Sequence, residues 1–382
     1  MSETIALLMI VRDEAKVIER AIQSILPIID EYLICDTGPS MDGTQQLIEG
    51  KMGQHQMRGR VIFKEWQNYG FNRSYLMEQA YNTVKTDFFI LIDADEILVK
   101  ANFQPFDEKD KVNLLSFTRK HPEVSLFPMK TFYDIKGQDP VEYPRHQLIR
   151  NNQLYKWILP YHEKLTPTVS STMVFYPGII NHTRREGYSS QNPQNSEKHI
   201  QAYFVWLETY PNDPRVIYYL GQTYRDVRNW SESIKWYENR LELEGKGDIQ
   251  EIFVSLISLG RLYSYLGDYF RAKERFLIGI QKFPHRLELY YELMVLLSDK
   301  FKNYQEAFDI SKLAPTSLPD SLDALVEPMI YKWKFQYKKA ALTWYIDEKE
   351  MGRKLILELL EEDRVPEEHR DFVSTQYFQY FS

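Results

Sequence analysis

The first hundred residues alternate between two hydrophobic rhythms. Ile5 to Val11 is an unbroken apolar run and reads as a buried strand. From Glu14 to Ile29 the apolar positions are Val17, Ile18, Ala21, Ile22, Ile25 and Leu26, the spacing of one helix face, and Pro27 marks its end. Tyr32 to Cys35 reads as a second strand, and Asp42 to Ile48 opens a helix with Asp42 as N-cap. Val61-Ile62-Phe63 predicts a third strand, Asn72 to Val84 a helix, and Phe88 to Ile92 a fourth strand rich in β-branched and aromatic residues. That order predicts a mostly parallel, Rossmann-like α/β sheet with right-handed crossovers. Beyond Lys100 the pattern shortens: Ser125–Tyr133, Gln147–Arg150, Tyr155–Leu159 and Met173–Tyr176 read as mixed or antiparallel additions to the same sheet. Residues 184–197 are polar and aperiodic, which predicts a loop and a domain boundary.

After residue 197 the chain turns helical and repeats itself. Leu259-Gly260-x-x-Tyr263, then Ala272, Phe276 and Pro284, carries the offsets of a tetratricopeptide unit. Leu220-Gly221-x-x-Tyr224 with Tyr237 opens the preceding unit, and Leu293 a weaker following one. Small residues at these positions let paired helices approach, and the aromatics are expected to fill the space between pairs. Helix-forming sequence continues past Asp320 through Trp333 and Trp344 to Leu360, as degenerate or capping helices.

A length of 382 residues predicts two domains, divided as 1–190 and 191–382. The net charge of −7 argues against a nucleic-acid-coating protein, which carries a basic stripe. One cysteine, Cys35, excludes an internal disulfide framework, and its apolar neighbours suit a small core residue. With no secretory leader and no apolar run of about eighteen residues, a cytoplasmic protein without a membrane span is expected.

The chemistry concentrates where strands end. Asp93-Ala94-Asp95-Glu96 closes the fourth strand, and Asp36 closes the second in Asp36-Thr37-Gly38-Pro39-Ser40-Met41-Asp42-Gly43-Thr44. In a parallel sheet these ends share one edge, where open α/β folds keep their ligands. Asp36 then reaches a base or ribose, and Asp95 a hard divalent cation of the kind that accompanies phosphates. Carboxylates at strand ends serve equally well as turn residues and helix caps. No phosphate-cradling G-x-x-x-x-G-K-[ST] loop, no G-x-G-x-x-G after the first strand and no H-E-x-x-H occurs.

Taken together, Ile10-Val11-Arg12-Asp13-Glu14, the D-x-x-S-x-D-G-T segment and the D-x-D after a hydrophobic strand resemble the family 2 glycosyltransferases of the GT-A fold, over roughly residues 4–185. A tetratricopeptide-like tail further resembles a subgroup of bacterial and viral glycosyltransferases, with Tyr219–Asp226 and Trp236–Arg240 as shared elements. The resemblance implies that Val11 and Arg12 flank the base and that Asp36 accepts the imide N–H of a uracil. It implies Arg73 facing the donor phosphates, Asp93 on the ribose and in the metal shell, and Asp95 as direct metal ligand. His182, expected just after the last strand, would complete that shell, an Asp/His set that tilts the choice from Mg²⁺ toward Mn²⁺. Trp157-Ile158-Leu159-Pro160-Tyr161-His162-Glu163 resembles the acceptor region, with Glu163 as first and His162 as second candidate for the catalytic base. Here the chain departs from the commoner glycine-containing version.

The expected activity is therefore metal-dependent, inverting transfer from a nucleotide-sugar, of the UDP type, to a glycan, peptide or protein. Self-association through the helical unit is compatible with such a tail. The alternatives are a sugar-nucleotidyltransferase, for which Arg12-Asp13-Glu14-Ala15-Lys16 lacks the glycines, and an inactive repeat-based binding scaffold.

Overall fold

The computed structural model describes residues 3–134, 139–169, 171–184, 186–187, 195–243, 245–316, 320 and 323–380. It divides into two compact units, Met1–Gln138 with Glu142–Thr209 and Asp139–Val141 with Tyr210–Ser382. Of the polar stretch 184–197, residues 185 and 188–194 lie outside the described residues.

The first unit is built on an eight-stranded sheet. Its strands are β1 (Ile5–Val11), β2 (Glu31–Asp36), β3 (Arg58–Phe63), β4 (Phe88–Leu91), β5 (Glu96–Lys100), β6 (Leu126–Tyr133), β7 (Val141–Arg150) and β10 (Ile179–Thr183), in the order β3-β2-β1-β4-β7-β6-β10-β5. Strands β3, β2, β1 and β4 run parallel, while β7 pairs antiparallel with β4 and β5 antiparallel with β10. Strands β8 (Tyr155–Ile158) and β9 (Lys164–Pro167) form a separate hairpin. The helices of this unit are α1 (Ile18–Ile25), α2 (Thr44–Gln54), α3 (Tyr69–Thr83), α4 (Glu108–Lys120) and α5 (Asn195–Thr209).

β1 is apolar throughout because both of its faces are covered. Ile5, Leu7, Met9 and Val11 join one core with Ile18, Ile22 and Ile25 of α1, while Ala6, Leu8 and Ile10 join another with Leu76, Met77 and Ala80 of α3.

Several boundaries differ from the sequence reading. α1 starts four residues late because the N–H groups of Glu14 and Ala15 are taken by Thr44 Oγ1 (2.8 Å) and Asp42 Oδ2 (2.9 Å), which hold the preceding loop open. The N-cap of α2 is Gly43, at φ 91°, rather than Asp42. Met173–Tyr176 forms no strand; Met173 makes one isolated bridge to Leu126. The last strand is instead Ile179–Thr183, so His182 lies inside it. β5, which follows directly from the acidic turn after β4, and α4, which comes after it, are not anticipated in the sequence.

From Pro214 onward the named elements of the second unit are all helices. Pairs α6/α7 (Pro214–Asp226, Trp230–Glu242), α8/α9 (Ile249–Tyr265, Tyr269–Lys282) and α10/α11 (Leu287–Asp299, Tyr304–Leu313) precede α12 (Phe335–Thr343), α13 (Lys349–Glu361) and α14 (Glu367–Tyr380). Asp213, Asn229, Asp248, Asp268 and Asn303 cap their helices through side-chain oxygens. The repeat glycines sit directly beneath rings of their own pair. A Cβ on Gly260 would lie 2.3 Å from the Phe276 ring, and one on Gly221 2.8 Å from the Tyr237 ring. These aromatics therefore fill the space within a pair, not only between pairs. Among the described residues no helix is long and apolar enough to cross a membrane.

Gly260→Ala should destabilise the helical unit by about 1–3 kcal/mol, since the Phe276 ring must shift within a filled core. Gly50→Ala, in α2 with nothing within 4 Å of the added carbon, should be neutral or stabilising. Urea denaturation followed by circular dichroism would compare the two; equal effects would refute the packing argument.

Candidate active site

The carboxyl ends of β1, β2 and β4 lie along one edge of the sheet, with Val11 in register with Asp36. Both residues are buried there. The carboxylate of Asp36 accepts from the N–H groups of Gly38 (3.2 Å) and Ser40 (3.1 Å), so it shapes the loop that follows its own strand. Thr37 N–H donates to the Val11 carbonyl at 2.9 Å, tying that loop to the end of β1. The Arg12 side chain, largely solvent-facing, lies across Gly38; a Cβ there would be 3.2 Å from the guanidinium carbon.

Asp93 lies just beyond the end of β4. Arg73 reaches it from the first turns of α3, donating to Asp93 Oδ1 at 2.5 Å and, through Nε, to Glu163 Oε1 at 2.6 Å. Arg145 donates to Asp93 Oδ2 at 2.7 Å and forms an ion pair with Glu96. The result is an alternating chain, Glu163–Arg73–Asp93–Arg145–Glu96, largely removed from water. Burial works to raise the Asp93 pKa, but the two guanidinium groups overcome it and hold that carboxyl well below its usual range. Burial pushes the Glu96 carboxyl up. The planar fork of arginine suits this work, since one side chain can bond two carboxylates at once. Arg73 also lies 5.2 Å from the centre of the Trp157 ring.

Asp95 differs from its neighbours. Its Oδ2 accepts from Gly187 N–H at 3.0 Å, and it makes no ion pair with the described residues. Burial and the nearby Asp93 charge raise its pKa. His182 stands apart on β10: its Nε2 is 3.3 Å from Asp134, and its ring is edge-on to Phe103 and Phe132. Burial lowers its pKa.

Among the described residues no group of three or more His, Cys, Asp or Glu is gathered as a metal shell. Of the three expected metal ligands, Asp95 is the one whose half-buried carboxylate has no ion-pair partner among those residues. Both oxygens of Asp93 are held by arginines, and the His182 ring faces Asp134, so neither is open to a cation in this arrangement.

Glu163 and His162 lie in the turn joining β8 to β9. Leu159 (φ 72°) and His162 (φ 47°) both take the left-handed conformation that favours glycine. The turn docks on the start of α3. Gly70 N–H donates to the Pro160 carbonyl at 3.3 Å, and a Cβ on Gly70 would fall 1.9 Å from the Leu159 carbonyl oxygen. On its other side Tyr161 meets His199 of α5, ring centres 3.9 Å apart. Burial lowers the His199 pKa to about 4.

The structure thus brings Arg73, Asp93 and Glu163 into direct contact and sets Val11, Arg12 and Asp36 on the same sheet edge. Arg145 was missed in the sequence because its strand was read only from Gln147. The register of β7 on β4, with Phe88 opposite Arg150 and Ile90 opposite Leu148, continues to set Arg145 opposite Asp93. Glu96, unassigned from sequence, is its second partner.

Arg145→Met should cost on the order of 3 kcal/mol, because it leaves Glu96 buried without its cation. Arg145→Met with Glu96→Gln should recover much of that loss; an equally unstable double variant would remove the pair from the account. His199 binds fewer protons folded than unfolded between about pH 4 and its ordinary value of 6.5. Its contribution therefore makes stability fall as pH drops through that window. His199→Phe should flatten the thermal stability profile between pH 6.5 and 4.

Residues 6–174 match the family described as Glycosyl transferase family 2. Over 330 residues the chain is 24% identical to a TPR repeat-containing protein of Synechococcus elongatus, covering 82% of this chain and 76% of that protein. Among solved structures, the TPR protein YrrB is 13% identical, covering 49% of this chain and 84% of its own, with a TM-score of 0.36. MamA from Desulfovibrio magneticus RS-1 is 14% identical, covering 44% and 86%, with a TM-score of 0.34. Residues 6–174, on a mostly parallel GT-A-like sheet, are a glycosyl transferase family 2 domain, and a TPR-like helical unit follows it.

Proposed function

We propose that this chain is a metal-dependent, inverting glycosyltransferase that moves a sugar from a nucleotide-sugar, of the UDP type, to a hydroxyl of a glycan, peptide or protein acceptor. The observation that carries the reading is the double contact of Arg73. One guanidinium joins Asp93, twenty residues further along the chain, to Glu163, ninety residues further, so donor-side and acceptor-side carboxylates share one site.

In this reading Val11, Arg12 and Asp36 hold the base, and Asp93 the ribose. Arg73, near the N-terminus of α3, keeps its bonds to Glu163 and Asp93 and faces the diphosphate, where a guanidinium and helix N–H groups both favour negative charge. Asp95 holds the cation, with Asp93 and His182 joining only if their present partners release them. A bound Mn²⁺ or Mg²⁺ would neutralise the diphosphate and stabilise it as a leaving group. The acceptor oxygen attacks the sugar C1 from the face opposite the nucleotide, the C1–oxygen bond to the diphosphate breaks, and Glu163 takes the acceptor proton. His162 is the second candidate for that proton. Residues 1–190 carry this chemistry, residues 191–382 engage the acceptor, and the protein works in the cytoplasm.

Incubation with Mn²⁺ or Mg²⁺ and a panel of nucleotide-sugars should release nucleoside diphosphate slowly without acceptor. Asp95→Asn should lower that release at least about a hundred-fold while leaving the circular dichroism spectrum unchanged. Pyrophosphate release from a nucleoside triphosphate would point instead to nucleotidyl transfer. Failure to bind either nucleotide class with metal present would leave the scaffold reading.

A further inference from the structure

The turn that carries Glu163 is under backbone strain that its own residues do not relieve. Leu159 and His162 are not glycines, yet both sit at positive φ, each at a cost of roughly 1–2 kcal/mol. Such conformations persist only where surrounding contacts over-determine them. Two contacts do so here from opposite sides. The first is the start of α3, where Gly70 lets the Leu159 carbonyl approach and donates its N–H to Pro160. The second comes from α5, beyond the family-matched segment, and belongs to the same compact unit.

On α5, Tyr203 is fully buried, and His199 lies four residues earlier on the same helix face. The His199 ring lies 3.9 Å from the Tyr161 ring, centre to centre, and edge-on to His162 at 6.0 Å. Tyr161 in turn meets Tyr69, the first residue of α3, at 6.1 Å, and Tyr69 meets Trp66 at 4.8 Å. The rings form a continuous file that grips the turn from α5 to the start of α3. Because burial keeps His199 neutral, its grip is ring packing rather than charge.

We propose that His199 is a positioning residue for Glu163: by packing on Tyr161 and His162 it holds the strained Leu159–His162 turn in the one conformation that delivers Glu163 to Arg73. The inference rests on the reading of Glu163 as catalytic base, but the grip on the turn can be measured without it.

Hydrogen exchange of the full chain should show faster exchange across residues 159–163 in His199→Ala, by about ten-fold or more, with the amides of β1 and β4 unchanged. In His199→Phe, which keeps a ring, exchange should stay near that of the unaltered protein. With the preferred nucleotide-sugar and acceptor, His199→Ala should lower kcat about ten- to a hundred-fold while the donor KM stays within about two-fold. His199→Phe should restore kcat. Unchanged exchange in His199→Ala, or a Phe variant as defective as the Ala variant, would overturn the proposal. A protein with no transfer activity, whose exchange still responds to His199→Ala, would tell against Glu163 as base and leave the grip on the turn established.

Discussion

Two guanidinium groups meeting on one carboxylate organise the first unit. Asp93 offers an oxygen each to Arg73 and Arg145, and those arginines pass on to Glu163 and Glu96. A carboxylate taken out of water is costly unless cations and hydrogen bonds replace its hydration. Here every ionic partner comes from a different element: Arg73 from α3, Arg145 from β7, Glu96 from β5 and Glu163 from the turn after β8. The chain therefore acts as a common fastening, and the cost of loosening it is greatest where the partner left behind is well buried, as Glu96 and Arg73 are. It also leaves more carboxylates than arginines. Asp95 stands beside the chain with no ionic partner among the described residues, and burial together with the Asp93 charge raises its pKa.

That fastening has a mechanical counterpart in the β8–β9 turn. Left-handed Leu159 and His162 store strain in a segment whose task is to present Glu163. Gly70 accepts the turn at one end because it has no Cβ, and the ring of His199 closes over Tyr161 at the other. The electrostatic chain aims Glu163 and the packed rings keep its backbone from relaxing.

Within the helical unit the controlling constraint is steric. Gly221 and Gly260 lie under Tyr237 and Phe276, so the size of one residue sets how closely each helix pair closes. These positions matter through what fits above them, which is why the repeat pattern is readable even where the surrounding residues vary.

The alternation of buried runs and helical faces determined, without further information, the parallel half of the sheet, the identity of its strand-end carboxylates and the helical repeat that follows. Those features are local: a strand covered on both faces must be apolar along its length, and a helix pair must carry its small residues at fixed offsets. Tertiary structure alone decided the rest. β5 and the full length of β7 escape a reading by periodicity because their polar residues, Glu96 and Arg145, are buried by pairing with each other rather than by being apolar. His182 fell inside a strand, where pairing with β5 and β6 and the contact with Asp134 fix its ring. The partners of Asp93 come from positions twenty residues before it and fifty-two after it, and only strand register and helix placement could bring them to one carboxylate.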